Sequence, residues 1–280
     1  MDLEKQSPAS TPPPLVLTIS GSDPSGGAGL EADLKTFHQH GVYGMAIPTL
    51  LTVQNTMGVR KVQTLEPNFL EEQFDFLLDD LVPSVIKIGA IGSKRMVQAL
   101  TRILSHPRLD SVKIVMDTVL ISTSGSALFD MRGLPDFIDR LLPRAFLITP
   151  NLMEFDLLSG KATTEANAVA HLLSFGRNKP YAILLKGGHF PGEPIDFLYE
   201  KNQVQRFPSE RIDTRHTHGT GCVLASAIAA NLALGETLND AVAHARGFVQ
   251  SAIQTNPGLG QGRGPLNLLS IPNQTKERLF

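Results

Sequence analysis

The segment Thr217-His218-Gly219-Thr220-Gly221-Cys222 runs directly into an Ala-rich apolar stretch, Val223–Leu234. Glycines let the backbone turn until successive N–H groups point at one spot. The start of the following helix adds unpaired N–H groups and the positive end of its dipole. Gly219, Thr220 and Gly221 therefore form a candidate site for a phosphate, or for the negative charge that builds up as a phosphoryl group moves. Cys222 falls at the same helix start, where the dipole is expected to lower its thiol pKa and favour the thiolate. A thiolate there could take the proton from an attacking hydroxyl. The alternative reading makes Cys222 a small buried filler and the glycines mere shapers of a turn.

A second glycine-rich loop, Gly21-Ser22-Asp23-Pro24-Ser25-Gly26-Gly27-Ala28-Gly29, follows the apolar run Leu15–Ser20. Gly27-Ala28-Gly29-Leu30-Glu31-Ala32 fits the G-x-G-x-x-A form of a dinucleotide fingerprint. That fingerprint should come straight after its strand, and here six residues intervene. The acidic residue expected about 20 positions later is also missing, since Gln54 stands near that place. No G-K-[ST] follows these glycines. The loop reads better as the wall of a small-molecule pocket. Asp33, just beyond it, either accepts a hydrogen bond at the pocket edge or sits on the solvated face of a helix. Lys186 ends an apolar run before Gly187 and Gly188, and a buried strand end rarely carries Lys without a partner. His216 and His218 form an H-x-H pair, as do His38 and His40; neither has a third zinc ligand nearby in sequence. The later pair is read as ordering the anion loop, the earlier one as helix surface.

These groups need a frame. Short β-branched runs at Leu15–Ser20, Met45–Gln54, Val85–Gly89, Val112–Leu120, Phe146–Pro150 and Tyr181–Gly187 alternate with helical patterns at Ala28–His40, Pro67–Asp80, Ser93–Ser105, Leu152–Ser159 and Ala166–Gly176. Such alternation implies crossover connections and a mostly parallel sheet covered on both faces. The runs are continuously apolar, as expected when both faces are buried. Phe197–Glu200 and Val204–Phe207 read as a hairpin, and helices over Thr220–Leu234 and Leu238–Thr255 close the chain. In open parallel sheets ligands bind beyond the carboxyl ends of the strands, where each of the polar and glycine clusters falls. The 280 residues, 42% apolar and 19% charged, suit one α/β domain from Leu15 onward behind a loose polar tail, Met1–Pro14. The net charge of −2 gives no general attraction to nucleic acid or anionic membrane. No apolar run is long enough to span a bilayer, and the single cysteine rules out an intrachain disulfide.

Taken in series, the motifs resemble the hydroxymethylpyrimidine/phosphomethylpyrimidine kinase family. The resemblance rests on Thr18 to Gly29 with Ala32-Asp33-Leu34-Lys35-Thr36-Phe37, Val53-Gln54-Asn55-Thr56, Lys87-Ile88-Gly89, Thr149-Pro150-Asn151-Leu152-Met153-Glu154, Leu185-Lys186-Gly187-Gly188-His189, the anion loop, and Gly262-Arg263-Gly264-Pro265. It implies a ribokinase-like three-layer sandwich and ATP- and Mg²⁺-dependent phosphorylation of 4-amino-5-hydroxymethyl-2-methylpyrimidine and its monophosphate in thiamine biosynthesis. A cytoplasmic homodimer is implied as well. It also implies roles: Cys222 as base, Gln54 as the amide that bonds the aminopyrimidine, and Gly21, Asp33, Ala90 and Val119 around the substrate. The resemblance further implies that Thr149, Asn151, Lys186 and Gly188 lie near the nucleotide phosphates and that Glu154 with Asn151 holds Mg²⁺, directly or through water.

Two positions depart from the family. Ala90 stands where methionine is usual, and Thr123 replaces a common lysine. Both bear on substrate identity and rate more than on reaction type. A pyridoxal or pyridoxine kinase is the nearest rival reading. A nicotinamide-dependent oxidoreductase and a non-catalytic precursor-binding protein are the others.

Overall fold

The computed structural model describes residues 11–121, 125, 127–188, 190 and 192–269. Their strands form a single nine-stranded sheet: β1 (Leu15–Ser22), β2 (Tyr43–Asn55), β3 (Gly58–Thr64), β4 (Val85–Ile88), β5 (Lys113–Met116), β6 (Leu147–Ile148), β7 (Ala182–Leu185), β8 (Ile195–Glu200) and β9 (Gln203–Pro208). The order across the sheet is β3-β2-β1-β4-β5-β6-β7-β8-β9. The centre, from β2 to β7, is parallel, while β3 at one edge and β8–β9 at the other pair antiparallel.

The helices are α1 (Gly29–Gln39), α2 (Pro67–Asp80), α3 (Lys94–Ile103), α4 (Leu134–Asp136), α5 (Leu152–Ser159), α6 (Ala168–Gly176), α7 (Thr220–Ala233) and α8 (Leu238–Gln254). Side chains of a strand alternate between its faces, and here the alternation sorts the core into two. Leu17, Ile19, Ile86, Ile88, Ile114, Met116, Ile183 and Leu185 pack toward α2, α3, α5 and α6. Val16, Val85, Val115, Leu147 and Leu184 pack toward α1, α7 and α8. Both faces are buried, which is why the strands read as unbroken apolar runs. The α/β layering expected from the sequence is the one the chain adopts.

Several expected boundaries shift. The hairpin β2–β3 was not foreseen. Gln54 lies inside β2 rather than after it, because Asn55 to Gly58 make a tight turn and Val59 onward pairs back along β2. The run expected over Val112–Leu120 stops at Met116, where Asp117 still donates its N–H to the Ile88 carbonyl (2.8 Å) before the chain turns away. β6 and β7 are likewise shorter than their apolar runs. The β8–β9 hairpin turns on Lys201 and Asn202, both left-handed (φ 48° and 64°). Pro14 is anchored, its carbonyl accepting from the Tyr43 N–H at 2.9 Å, so the expected tail is tied down at its last residue. Residues 1–10 lie outside the described residues.

Candidate active site

Period two decides which polar residues meet. Val16, Val85, Val115, Leu147 and Leu184 face α7. Two residues further along each strand direction come Thr18, Lys87, Asp117, Thr149 and Lys186, all on the same face. The ladder bonds carry on past the strand ends: Thr149 N–H to Met116 C=O at 3.0 Å, Lys186 N–H to Pro150 C=O at 2.9 Å. Asp117 is thereby fixed between two partners. Thr149 Oγ1 donates to its Oδ1 at 3.1 Å, and Lys186 Nζ lies 2.8 Å from the same oxygen. Burial works against the Lys186 charge, but the carboxylates of Asp117 and Glu154 outweigh it and hold the ammonium above its ordinary range.

The first turn of α7 stands over this pair. Its N-cap, Gly219, is left-handed (φ 81°), and a methyl group there would overlap the Gly27 carbonyl oxygen. Only glycine meets both demands. A methyl group on Gly221 would come 3.2 Å from Lys186 Nζ and 3.6 Å from Asp117 Oδ2. The first bond of the helical ladder runs from the Val223 N–H to the Gly219 carbonyl (2.9 Å), so the N–H groups of Gly221 and Cys222 stand ahead of it. Two ties hold the preceding loop. The His218 N–H donates to the Gly264 carbonyl at 3.1 Å, which gives the closing Gly262-Arg263-Gly264-Pro265 a mechanical task. The His218 ring Nε2 lies 2.7 Å from Asp23 Oδ2 and 3.2 Å from the Gln54 amide. Asp23 also accepts from the Ser25 and Ala28 N–H groups, at 2.9 and 3.0 Å. Burial would raise its pKa, but the bonds from His218 and Ser25 prevail and hold it below the usual carboxylate range. His218 therefore orders the loop, as expected, while also orienting the first glycine-rich segment.

Cys222 corrects one expectation. It lines the cavity, yet burial pushes the thiol up to about 11; Lys87 and, less, the Gly29 N–H pull the other way and Asp117 and Asp33 add to the rise. Desolvation at this helix start outweighs the dipole that was expected to favour the thiolate. Asn151 and Glu154 form a capping box at the start of α5. Asn151 Oδ1 accepts the Glu154 N–H at 2.9 Å, and Glu154 Oε2 accepts the Asn151 N–H at 2.8 Å and the Thr118 hydroxyl at 3.1 Å. The spacing of three thus serves the helix itself. Burial raises the Glu154 pKa; Lys186 opposes the rise and Asp117 reinforces it.

One cavity of about 650 Å³ joins these groups. Its wall includes Gly21, Gln54, Ala90 and Val119, Asn151, Glu154, Lys186, Gly188 and the loop from Gly219 to Cys222, and Arg211, Ile212, Val249 and Ile253. Asp33 and Thr149 are not on its wall. Both are fully buried; Thr149 serves Asp117, and Asp33 pairs with Lys87 at 2.7 Å, neither at a pocket edge nor on a solvated face. Thr123 and His189 lie outside the described residues. Asp117 and Asp23 went unremarked in the sequence, although each directly follows or closes a strand run, where the fold collects its functional groups.

A sequence model of the family described as phosphomethylpyrimidine kinase matches residues 23–267. A hydroxymethylpyrimidine/phosphomethylpyrimidine kinase of Rhizobium meliloti (strain 1021) is 40% identical, covering 90% of this chain and 96% of its own. The thiamine biosynthesis bifunctional protein ThiED of Geobacter sulfurreducens is 38% identical over 94% of this chain and 54% of its own. Among solved structures, a phosphomethylpyrimidine kinase from Clostridium difficile 630 aligns with a TM-score of 0.75 at 34% identity, covering 86% of this chain and 99% of that one. A pyridoxal kinase from Staphylococcus aureus in complex with AMP-PCP aligns with a TM-score of 0.83 at 28% identity, covering 92% and 94%.

Because Cys222 is the only cysteine, its alkylation by iodoacetamide reads one thiol. The rate is expected to keep climbing with pH toward about 11. A plateau near the ordinary thiol range of about 8.5 would show that the dipole prevails over burial.

Proposed function

The chain belongs to the phosphomethylpyrimidine kinase family, and from that premise we propose which residues carry its reaction. The reaction is the ATP-dependent phosphorylation of hydroxymethylpyrimidine and phosphomethylpyrimidine in thiamine biosynthesis. One observation supports the assignment of roles above the others. The first-turn N–H groups of α7 stand over the Asp117–Lys186 pair, in the same cavity as Gln54. That arrangement suits a phosphoryl group moving between a nucleotide at one end and a small ring at the other.

In this reading the pyrimidine lies against Gly21, Gln54, Ala90 and Val119. Its hydroxyl oxygen bonds the γ-phosphorus as the bond to the bridging β–γ oxygen breaks, and ADP leaves with that electron pair. The N–H groups of Gly219 and Gly221 and the Lys186 ammonium face the charge that spreads over the phosphoryl oxygens, the Thr220 N–H being spent on the Thr217 carbonyl at 3.3 Å. Cys222 rests as a thiol and takes the hydroxyl proton only after its own has left to solvent. Mg²⁺ fits the donors present: Glu154 is a hard oxygen donor whose charge burial disfavours, and a divalent cation beside it would relieve that cost. Asn151 spends its side-chain oxygen on the capping box, so its share would come through water. Residues from Leu15 onward act as one catalytic domain built on the common sheet. A cytoplasmic location suits the nucleotide co-substrate and the unpaired cysteine.

The second phosphorylation has a different acceptor. The oxygen of the monophosphate is already anionic and needs no base. Cys222→Ser is therefore expected to lower kcat for the alcohol by about 10²-fold or more, with AMP-PCP binding kept, and to affect the monophosphate far less. Near-normal turnover of the alcohol would remove the base assignment. The pyridoxal kinase reading is favoured by one finding, the higher TM-score of the Staphylococcus aureus structure. ADP release measured side by side with the pyrimidine alcohol and pyridoxal is expected to favour the pyrimidine, and the reverse order would exchange the two readings. The homodimer is supported by Leu51, Val53 and Met57, apolar and exposed together on the β2–β3 hairpin. Sedimentation is expected to give twice the chain mass, and a monomer at micromolar concentration would refute it.

A further inference from the structure

Beneath Cys222 lies a polar cluster closed off from water. Thr18, Asp33, Lys87 and Ser226 are all fully buried. Asp33 Oδ2 accepts from Thr18 Oγ1 and from Lys87 Nζ, each at 2.7 Å, and Asp33 Oδ1 accepts from Ser226 Oγ at 2.6 Å. Thr18 and Lys87 are register partners on β1 and β4. The Asp33 carboxylate is satisfied by three donors. The Lys87 ammonium has three N–H donors and, among the described residues, one acceptor.

The two helices bring this cluster to the thiol in step. On α7, Cys222 and Ser226 are four residues apart and share a face; on α1, so are Gly29 and Asp33. The Gly29 N–H faces the Cys222 thiol and favours its anion, and one turn deeper Asp33 accepts from Ser226 at 2.6 Å. Along α7 the thiol therefore stands one helical turn from Ser226, whose hydroxyl donates to the carboxylate of the buried pair. Lys87 approaches from β4, Asp33 from α1, Asp117 from the end of β5 and Lys186 from the end of β7; these are the charged groups that face it. Gly89 keeps the space open, since a methyl group there would come 2.9 Å from Lys87 Nζ.

We propose that Lys87 is a positioning residue for the reaction: its buried ammonium, held in place by Asp33, is the charge that allows Cys222 to carry an anion. Of the groups around the thiol, Lys87 is the foremost one that lowers its pKa, and Asp33 raises it. A pair kept only for packing would treat its two members alike, because losing either strands the other in an apolar core. An electrostatic role gives them opposite signs. The inference builds on Cys222 as the reacting group but is read on the thiol itself.

The test is the pH dependence of iodoacetamide alkylation in the full-length protein. Asp33→Asn, an isosteric change, removes a carboxylate that opposes the thiolate and is expected to lower the apparent thiol pKa by about one unit. The double variant Lys87→Met/Asp33→Asn is expected to raise it above that of Asp33→Asn by at least as much, and to cut kcat for the alcohol about tenfold or more with the KM for ATP nearly unchanged. An unchanged or raised thiol pKa in Asp33→Asn overturns the proposal, even if the double variant fails to fold. Failure of the Cys222 base assignment would appear elsewhere, as normal turnover in Cys222→Ser, with the alkylation shifts intact.

Discussion

Two main-chain segments touch where side chains would forbid it. Gly219 turns left-handed against the carbonyl of Gly27, and neither position has room for a methyl group. This contact sets the height of α7 above the strand ends. It brings Gly221 over the Asp117–Lys186 pair and lets Gly29 reach the sulfur of Cys222. The fit of G-x-G-x-x-A at Gly27 to Ala32 has its physical explanation here: Gly27 leaves room for the His218 ring and Pro265, and Gly29 for the Gly21 carbonyl.

The site then concentrates ionised groups in a place that resists them. Asp117, Glu154, Lys186, Asp33 and Lys87 are all largely or wholly buried. Each is tolerable because its neighbours supply opposite charge or hydrogen bonds. Cys222 has fewer such supports, so burial governs it. The consequence is a thiol that stays protonated in the resting protein and ionises only with help. The capping box of α5 has a similar double character, since the carboxylate that completes the helix start also faces the cavity.

Most of this architecture was legible. Continuous apolar runs with helical stretches between them specify a two-faced parallel sheet, and the rule that ligands gather at strand ends located the glycine loops, Asn151, Glu154 and Lys186. What escaped notice depends on contacts across long sequence separations. Asp33 looks like any acidic residue on a helix until Lys87, 54 residues away, is seen beside it. Lys87 itself carried a signal. A buried strand end rarely holds a lysine without a partner, at Lys87 as at Lys186. The direction of the Cys222 shift was not legible at all, because the dipole is local and readable while desolvation is set by packing from α1, β4 and β5. The β2–β3 hairpin was missed since its outer half alternates exposed and half-buried residues, unlike the central strands.

That hairpin couples the rim of the cavity to its centre. Gln54 projects from the outer reach of β2, where the pairing with β3 slips between Val53 and Gln54, and such irregularities re-aim a side chain. Its amide lies 3.2 Å from the His218 ring, the same ring that ties the loop before α7 to Asp23. A peripheral ribbon is thereby linked to a helix start that stands over the parallel centre of the sheet, so a change of shape at the edge is felt at the first turn of α7.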